Sequence, residues 1–161
     1  MAKIDAIKSK IFQLSEISNI LSLWEDEKIV FTNGCFDVLH IGHFHNLTQA
    51  SELGTKLVIG LNTDSSIKRL KGKNRPINNE YDRALMLAGF SFVDAVVFFD
   101  TDTPYELIKI IKPNILTKGG DYKPKDVIGY DVVTKYGGEV VIIDLVKGFS
   151  STSIIKKGGL V

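Results

Sequence analysis

Five short apolar segments alternate with amphipathic stretches between residues 28 and 144, and this alternation restricts the possible folds more than any other feature. The apolar residues of each segment follow one another almost without interruption, whereas a strand with one solvent-facing side would alternate polar and apolar residues. We therefore predict five parallel strands buried on both faces: Lys28–Thr32, Lys56–Leu61, Ala95–Phe99, Ile115–Thr117 and Glu139–Asp144.

Helices are predicted between these strands, at Gly42–Leu53, Asn79–Gly89, Pro104–Lys112 and Lys125–Tyr136. A further helix is predicted over Ile11–Trp24, where apolar side chains recur at helical spacing; it belongs to an N-terminal extension, residues 1–27, that we expect to pack outside the main domain. The 161 residues fit a single domain. The predicted fold class is α/β, a Rossmann-like, doubly wound, five-stranded parallel sheet with helices on both faces.

Charge and composition argue against several classes of function. The formal net charge of +1 gives the chain no strong overall attraction to nucleic acids or anionic membranes. Cys35 is the one cysteine of the sequence, which excludes an internal disulfide and is typical of a reducing compartment. No signal peptide is visible, and no apolar segment is long enough to cross a bilayer. We expect a cytoplasmic protein that binds neither nucleic acid nor membrane.

Two histidines follow the first predicted strand, in the segment Asn33-Gly-Cys-Phe-Asp-Val-Leu-His-Ile-Gly-His43. His40 and His43 share one face of a helix start, and Gly42 between them lets a ligand approach the backbone. The free N–H groups of a helix start attract anions. We interpret this turn as a phosphate site in which both histidines are catalytic; a zinc site that also uses His45 and Cys35, or a purely structural role, are the alternatives.

A basic segment follows the second predicted strand and contains no acidic residue from Ile67 to Pro76. We interpret it as a flexible lid over phosphate groups, and a solvated loop is the alternative. Lys71 and Arg75 are the predicted phosphate contacts, and Arg83 on the next helix is a further basic candidate. The basic residues of the segment are Lys68, Arg69, Lys71, Lys73 and Arg75.

Two later turns also suit a nucleotide. In Lys118-Gly-Gly-Asp-Tyr122, paired glycines let the backbone approach a base or ribose and Asp121 can accept hydrogen bonds, although a simple glycine turn is the alternative. Ser150, Ser151 and Thr152 place three hydroxyls at the start of the last helix. A cap needs one hydroxyl, so three favour a second anion site.

These segments resemble a known superfamily. His40-Ile-Gly-His43, in its strand–turn–helix context, is similar to the HxGH signature of nucleotidyltransferases, which share fold and motif with class I aminoacyl-tRNA synthetases. Leu70–Pro76, Lys118–Pro124 and Ser150–Thr152 narrow the resemblance to the D-glycero-β-D-manno-heptose 1-phosphate adenylyltransferase family, over about Lys28 to Lys157.

The resemblance implies that ATP and heptose 1-phosphate give ADP-heptose and pyrophosphate, with Mg²⁺ carried by the triphosphate and no metal site on the protein. It also implies a homodimer and a separate sugar kinase, because this chain carries no kinase segment and corresponds to a stand-alone form or an excised domain. His40, His43 and Lys71 are the predicted catalytic residues. The predicted nucleotide contacts are Asn33, Gly34, Phe36, Gly42, Gly119, Asp121, Ser150, Ser151 and Thr152, and those of the acceptor phosphate are Asp37, Asn62, Arg75 and Arg83.

Two alternative functions remain open. A cytidylyltransferase acting on glycerol 3-phosphate or another polyol phosphate would share the histidine motif, but Lys147 stands where those enzymes carry an Arg-Thr-Glu-Gly approach to the last motif. A non-catalytic nucleotide-binding module is the second alternative. The sequence has no Lys-Met-Ser-Lys-Ser motif, which weakens a synthetase-like interpretation.

Overall fold

The computed structural model describes residues 2–146 and 148–159, so Lys147 lies outside the described residues. The fold class is confirmed: the core is a parallel sheet with helices on both faces, in the strand order β1-β4-β3-β2-β5-β6. The sheet has six strands, one more than predicted. Their bounds are β1 (Ile11–Phe12), β2 (Ile29–Gly34), β3 (Lys56–Asn62), β4 (Ala95–Phe99), β5 (Ile115–Gly119) and β6 (Glu139–Ile143).

The helices form two layers because successive strand residues point to opposite faces of the sheet. In β3, Leu57 and Ile59 join the buried cluster on one face, and Val58 joins the cluster on the other. Within the described part of the chain, every helix is too short or too polar to span a lipid bilayer. The helices are α1 (Lys3–Lys8), α2 (Ile17–Leu21), α3 (Ile41–Ser51), α4 (Asp64–Lys71), α5 (Glu80–Ala88), α6 (Tyr105–Ile111), α7 (Tyr130–Lys135) and α8 (Ser151–Lys157).

The N-terminal helix predicted over Ile11–Trp24 is wrong for much of its length. Ile11 and Phe12 instead form β1, opposite Val96 and Val97 of β4. The helical part is limited to α2 and the 3-10 turn Ser22–Trp24. Pairing with β1 satisfies backbone groups along the edge of β4 that would otherwise lack partners in the sheet. The N-terminal extension therefore adds one short strand to the sheet, between the helices α1 and α2.

The basic segment, predicted as a flexible lid, is helical up to Lys71 and continues as a loop over residues 72–76. Thr63 caps α4 by accepting a hydrogen bond from the Ser66 N–H at 3.2 Å, and the helix continues to Lys71. Arg69 is not a free cation, because it pairs with Asp102 at 3.0 Å and with Asp100 at 3.6 Å. These partners come from the loop after β4, so Arg69 is paired although its own segment contains no acidic residue.

The helix predicted over Lys125–Tyr136 is interrupted at Gly129. This residue has a φ of +94°, and a Cβ placed there would lie 2.6 Å from Cδ1 of Ile108. A 3-10 turn at Pro124–Asp126 precedes it and α7 follows it. The helices predicted at Gly42–Leu53, Asn79–Gly89 and Pro104–Lys112 are confirmed to within two residues at either end.

The strand order reverses at β2, which has β3 on one side and β5 on the other. In open parallel sheets a crevice forms at such a point, outside the carboxyl ends of the strands, and ligands bind there. The ends of β2 and β5 carry Asn33-Gly34 and Lys118-Gly119, so this crevice is where the predicted site residues must meet.

Candidate active site

A cavity of about 340 Å³ lies beyond the carboxyl ends of β2 and β5, within the size range of small-molecule sites. It collects residues from six parts of the chain: the end of β2 with the turn that follows it, α3, the end of α4, the end of β5, the segment after β6 and the start of α8. The predicted site residues that line it are Asn33, Gly34, Phe36, Asp37, His40, Gly42, His43, Lys71, Gly119, Ser150, Ser151 and Thr152. The structure therefore brings together segments separated by more than 100 residues.

The two histidines begin α3 and stack on each other. His40 is the N-cap, and its Nδ1 accepts a hydrogen bond from the Gly42 N–H at 3.1 Å. A neutral ring that accepts through Nδ1 carries its hydrogen on Nε2. The His40 and His43 ring centroids are 3.8 Å apart. The shared helix face predicted from their spacing is confirmed, and His40 can donate from Nε2 to a ligand.

The electrostatic surroundings keep both rings neutral in the free protein. Burial, with smaller contributions from the charges of His40 and Lys71, lowers the pKa of His43 to about 4. Burial also lowers the pKa of His40. Near neutral pH the two imidazoles are therefore hydrogen-bond donors rather than fixed positive charges, and a bound polyphosphate would raise both pKa values.

Acidification should destabilise the fold through His43. Its folded pKa of about 4 lies below the ordinary value of 6.5, so the unfolded chain takes up a proton that the folded chain refuses. The stability contributed by neutral His43 is present above pH 6.5 and is lost as the pH falls toward 4. We expect His43→Gln to show a smaller drop in Tm than the wild type between these pH values. His45→Gln, which changes an exposed histidine of the same helix, should follow the wild type; parallel curves for all three proteins would contradict the assignment.

Phe36 packs against the ring of His43. It is buried, adopts a φ of 45° that is uncommon outside glycine, and meets the His43 ring edge-on with centroids 5.2 Å apart. Its ring also lies against Gly34, where an added Cβ would be 3.0 Å away. Phe36 thus packs beneath His43, and a direct nucleotide contact stays a prediction.

The start of α8 closes another side of the cavity. Ser150 caps the helix by accepting from the Ser153 N–H at 3.1 Å, and Ser151 donates to the Val38 carbonyl at 3.0 Å. Two of the three hydroxyls are therefore engaged within the protein, which leaves Thr152 exposed at the cavity. The anion site predicted here would use Thr152 and backbone N–H groups.

The end of β5 approaches α3 closely at Gly119. A Cβ at Gly119 would lie 2.6 Å from Nδ2 of Asn46, so a side chain there would displace the Asn46 amide. Asn46 lines the cavity, its Nδ2 is buried, and it has no hydrogen-bond partner among the described residues. Sequence reasoning missed Asn46, although its place three residues after His43 on α3 was a usable signal. Asp121, a predicted nucleotide contact, is exposed and lies outside the cavity lining.

Asp37 and Arg75, both predicted contacts of the acceptor phosphate, form a buried ion pair with each other. The Asp37 carboxylate is buried and accepts from Arg75 Nε at 2.6 Å, from the Ile77 N–H at 2.7 Å and from the Asn78 N–H at 3.0 Å. Arg75 lies outside the cavity lining. The carboxylate attracts the guanidinium and two N–H groups, and the pair fixes the loop that follows α4.

Arg83 is a structural clamp rather than a phosphate contact. It is 1% exposed and donates to the Asn78 carbonyl at 3.0 Å, to the Cys35 and Asn62 carbonyls at 2.7 and 2.9 Å, and to the Asp64 carboxylate at 2.8 Å. Asn62 is buried as well, and its side chain donates to Ser66 at 2.9 Å. Neither residue lines the cavity. Arg83 joins the chain segments that follow β2 and β3.

The described residues do not support the zinc alternative. Among them, no three side chains of histidine, cysteine, aspartate or glutamate are grouped so that they could hold a metal ion. The cavity instead gathers groups that bind anions. Two imidazoles, the ammonium groups of Lys71 and Lys118, and the start of α8 surround it. Such a set suits a polyphosphate, which agrees with the interpretation of the histidine turn.

Comparison with known proteins gives the family context. The chain is 55% identical over 148 residues to the bifunctional protein HldE of Campylobacter concisus and 55% identical over 150 residues to that of Helicobacter hepaticus, covering 92% and 93% of this chain. It spans 30% of the length of each of these relatives.

Solved structures with the same fold include a lipopolysaccharide core biosynthesis protein from Thermoplasma volcanium, with a TM-score of 0.61 and 30% identity over 76% of this chain and 99% of that one. The pantoate-beta-alanine ligase of Francisella tularensis, at 15% identity and a TM-score of 0.59, covers 92% of this chain and 76% of its own, and shares the fold alone. The cytidylyltransferase-like family profile matches residues 31–157, which contain every predicted site residue. These matches confirm the resemblance predicted from the motifs, and the chain belongs to the cytidylyltransferase-like family.

Proposed function

We propose that the protein transfers the adenylyl group of MgATP to D-glycero-β-D-manno-heptose 1-phosphate and releases pyrophosphate. The observation that carries this proposal is the cavity at the point where the strand order reverses, lined by His40, His43 and Lys71 on one side and by Gly119 on the other. The relatives named HldE and the lipopolysaccharide core biosynthesis protein support the choice of a sugar phosphate.

The reaction requires no general base, because a phosphate oxygen of the acceptor is already an anion. This oxygen attacks the α-phosphorus of ATP and forms a new P–O bond. The bond between the α-phosphorus and the oxygen that bridges to the β-phosphorus breaks, and pyrophosphate leaves with the electron pair. Catalysis then consists of holding the two substrates in line and stabilising the charge that develops during displacement.

His40 and His43 supply that stabilisation in this proposal. Because both rings are neutral and His40 holds its hydrogen on Nε2, they can donate hydrogen bonds to phosphate oxygens as negative charge shifts toward the leaving group. Lys71, exposed at the end of α4 and part of the cavity lining, adds a cation for the outer phosphates.

Mg²⁺ enters the proposal as part of the substrate MgATP. This ion usually keeps several waters and binds through substrate phosphates. Asp37 is the one carboxylate in the described cavity lining, and it is engaged by Arg75 and two N–H groups. The phosphate oxygens and water would therefore hold the metal, which neutralises charge on the leaving pyrophosphate.

Three parts of the proposal rest on the resemblance and on the relatives' names. We infer a homodimer, a cytoplasmic location, and a sugar kinase that supplies the acceptor as a separate activity. The relatives are bifunctional proteins by name, which is consistent with a second activity in those longer chains.

The substrate assignment is tested by measuring pyrophosphate release with each of four nucleoside triphosphates against heptose 1-phosphates, hexose 1-phosphates and glycerol 3-phosphate. We expect ATP with a manno-configured heptose 1-phosphate to give the highest kcat/KM, and CTP to be roughly 10²-fold poorer because its base leaves buried polar groups unpaired. CTP with glycerol 3-phosphate as the best pair would replace the proposal with the polyol alternative. Nucleotide binding without release by any pair would favour the non-catalytic module.

A further inference from the structure

A second cavity, of about 160 Å³, adjoins the first on the β5 side of the sheet. The two cavities share Asn33 and Lys118 in their linings. Tyr122 and Asp126 give the second cavity polar groups, and Val127 with Ile128 gives it apolar surface. A ligand that combines hydroxyls with C–H surface, as a sugar does, fits this mixture.

Lys118 is the cation at the junction of the two cavities. It is the fourth residue of β5 and is half-buried, and its ammonium group makes no hydrogen bond or ion pair with any residue that the structure describes. Its Nζ lies 5.8 Å from the centroid of the Tyr122 ring. Burial lowers the pKa of Lys118, and the neighbouring Cys35 thiol offsets this only in part. A partly desolvated cation without a carboxylate gains from a bound anion.

The other cations near the sheet ends differ from Lys118 in this respect. Arg75 is paired with Asp37 and Arg83 with Asp64, and neither arginine lines either cavity. Lys71 is exposed and lines the first cavity but not the second. Within the described residues, Lys118 is thus the cation that can face ligands in both cavities at once.

The geometry of in-line displacement requires a separate site for the acceptor, and the second cavity can provide it. The histidines, Lys71 and the start of α8 already surround the space for the triphosphate. The acceptor oxygen must reach the α-phosphorus from the side opposite the leaving pyrophosphate, so it needs a separate entrance. Two anionic phosphates then approach each other, and a cation between them reduces their repulsion.

We infer that the second cavity is the acceptor subsite and that Lys118 binds the phosphate monoester of a sugar 1-phosphate there. This inference rests on the proposed function and adds to it a specific residue and a location. The acceptor phosphate contacts Lys118 Nζ, and its sugar lies against Tyr122, Asp126 and Val127. In this inference Lys118 takes the role of acceptor-phosphate contact that was predicted from sequence for Arg75 and Arg83.

The test is Lys118→Met, which keeps the length of the side chain and removes its charge. At saturating MgATP, the KM for heptose 1-phosphate should rise roughly 10- to 100-fold, while the KM for MgATP changes by less than about twofold. Lys118→Arg should recover part of the loss. Lys123→Met, a matched change at an exposed lysine that lines neither cavity, should leave both constants unchanged.

Direct binding separates failure of this inference from failure of the proposed function. Heptose 1-phosphate is titrated into the wild type, Lys118→Met and Lys123→Met without nucleotide and followed by NMR. Weaker binding in Lys118→Met alone supports the subsite, whether or not the wild type turns over with ATP. Equal binding by all three proteins, no binding by any, or a rise in the KM for MgATP instead of that for the acceptor would overturn the inference.

Discussion

Replacing His43 with alanine is expected to lower kcat for adenylyl transfer by roughly 10²- to 10³-fold, with little change in the KM of either substrate. His43 lies in the cavity, stacked on His40, and its pKa of about 4 makes it a neutral donor near pH 7. A donor that acts mainly on developing charge contributes to the transition state more than to substrate binding. Steady-state kinetics with both substrates varied would measure the split.

The control for this change is His45→Ala. His45 is exposed on the same helix, lies outside the cavity lining, and contacts Gln49 at 3.1 Å. Its replacement should leave kcat unchanged. A loss of kcat in His45→Ala equal to that in His43→Ala would point to damage of α3 rather than to removal of a catalytic donor.

His40 carries two roles that substitution can separate, since it both caps α3 and lines the cavity. Asparagine is a good helix cap but does not reach as far as the imidazole Nε2. His40→Asn should therefore retain wild-type stability and still lose kcat, whereas His40→Ala should lose both. If the single variants His40→Asn and His43→Ala both turned over at the wild-type rate, the histidines would have no part in the mechanism.

Replacing Arg83 with methionine is expected to destabilise the protein by roughly 3–5 kcal/mol. The guanidinium is buried, and its loss would leave the Asp64 carboxylate and the carbonyls of Cys35, Asn62 and Asn78 without the donor that they share. Methionine keeps much of the side-chain volume, so the expected loss comes from unsatisfied polar groups rather than from a void. Urea unfolding followed by circular dichroism gives the free energy of unfolding.

Arg69→Met provides the comparison for Arg83→Met, because Arg69 is exposed and its ion pairs with Asp100 and Asp102 are solvated. Its unfolding midpoint should stay close to that of the wild type. If Arg83→Met does not fold, Arg83→Lys, which restores charge but fewer donors, should fold with intermediate stability. Equal midpoints for wild type and Arg83→Met would contradict the clamp.

The histidine turn could be predicted from sequence because every part of its signal is local. Continuous apolar residues identified β2, and the spacing of His40 and His43 placed them on one face of α3. Long-range pairing had no such signal. Asp37 and Arg75 are 38 residues apart, so a basic segment judged by its own composition gave no indication that its arginine was already paired.

Three further differences between the sequence-based expectations and the structure also have physical causes. β1 has only two residues, too few to establish a periodicity, and its pairing depends on the open edge of β4. Asp121 follows Gly120, whose φ of +123° redirects the chain, and its carboxylate lies outside the cavity. Lys118 belongs to a quoted motif, but its significance depends on two adjoining cavities that become visible only in three dimensions.

The position of the site across β2 and β5 has a consequence for how such enzymes can diversify. The histidines belong to the β2 side of the crevice, which Arg83 anchors, whereas Lys118 and Gly119 belong to β5 and the second cavity opens on that side. If the proposed acceptor subsite is correct, mutations of Tyr122 and residues 126–128, which line the second cavity alone, can alter the accepted sugar while the histidines stay in place. A laboratory selection for new acceptors should accumulate its changes at residues 118–128 before it touches the helix that carries the histidines.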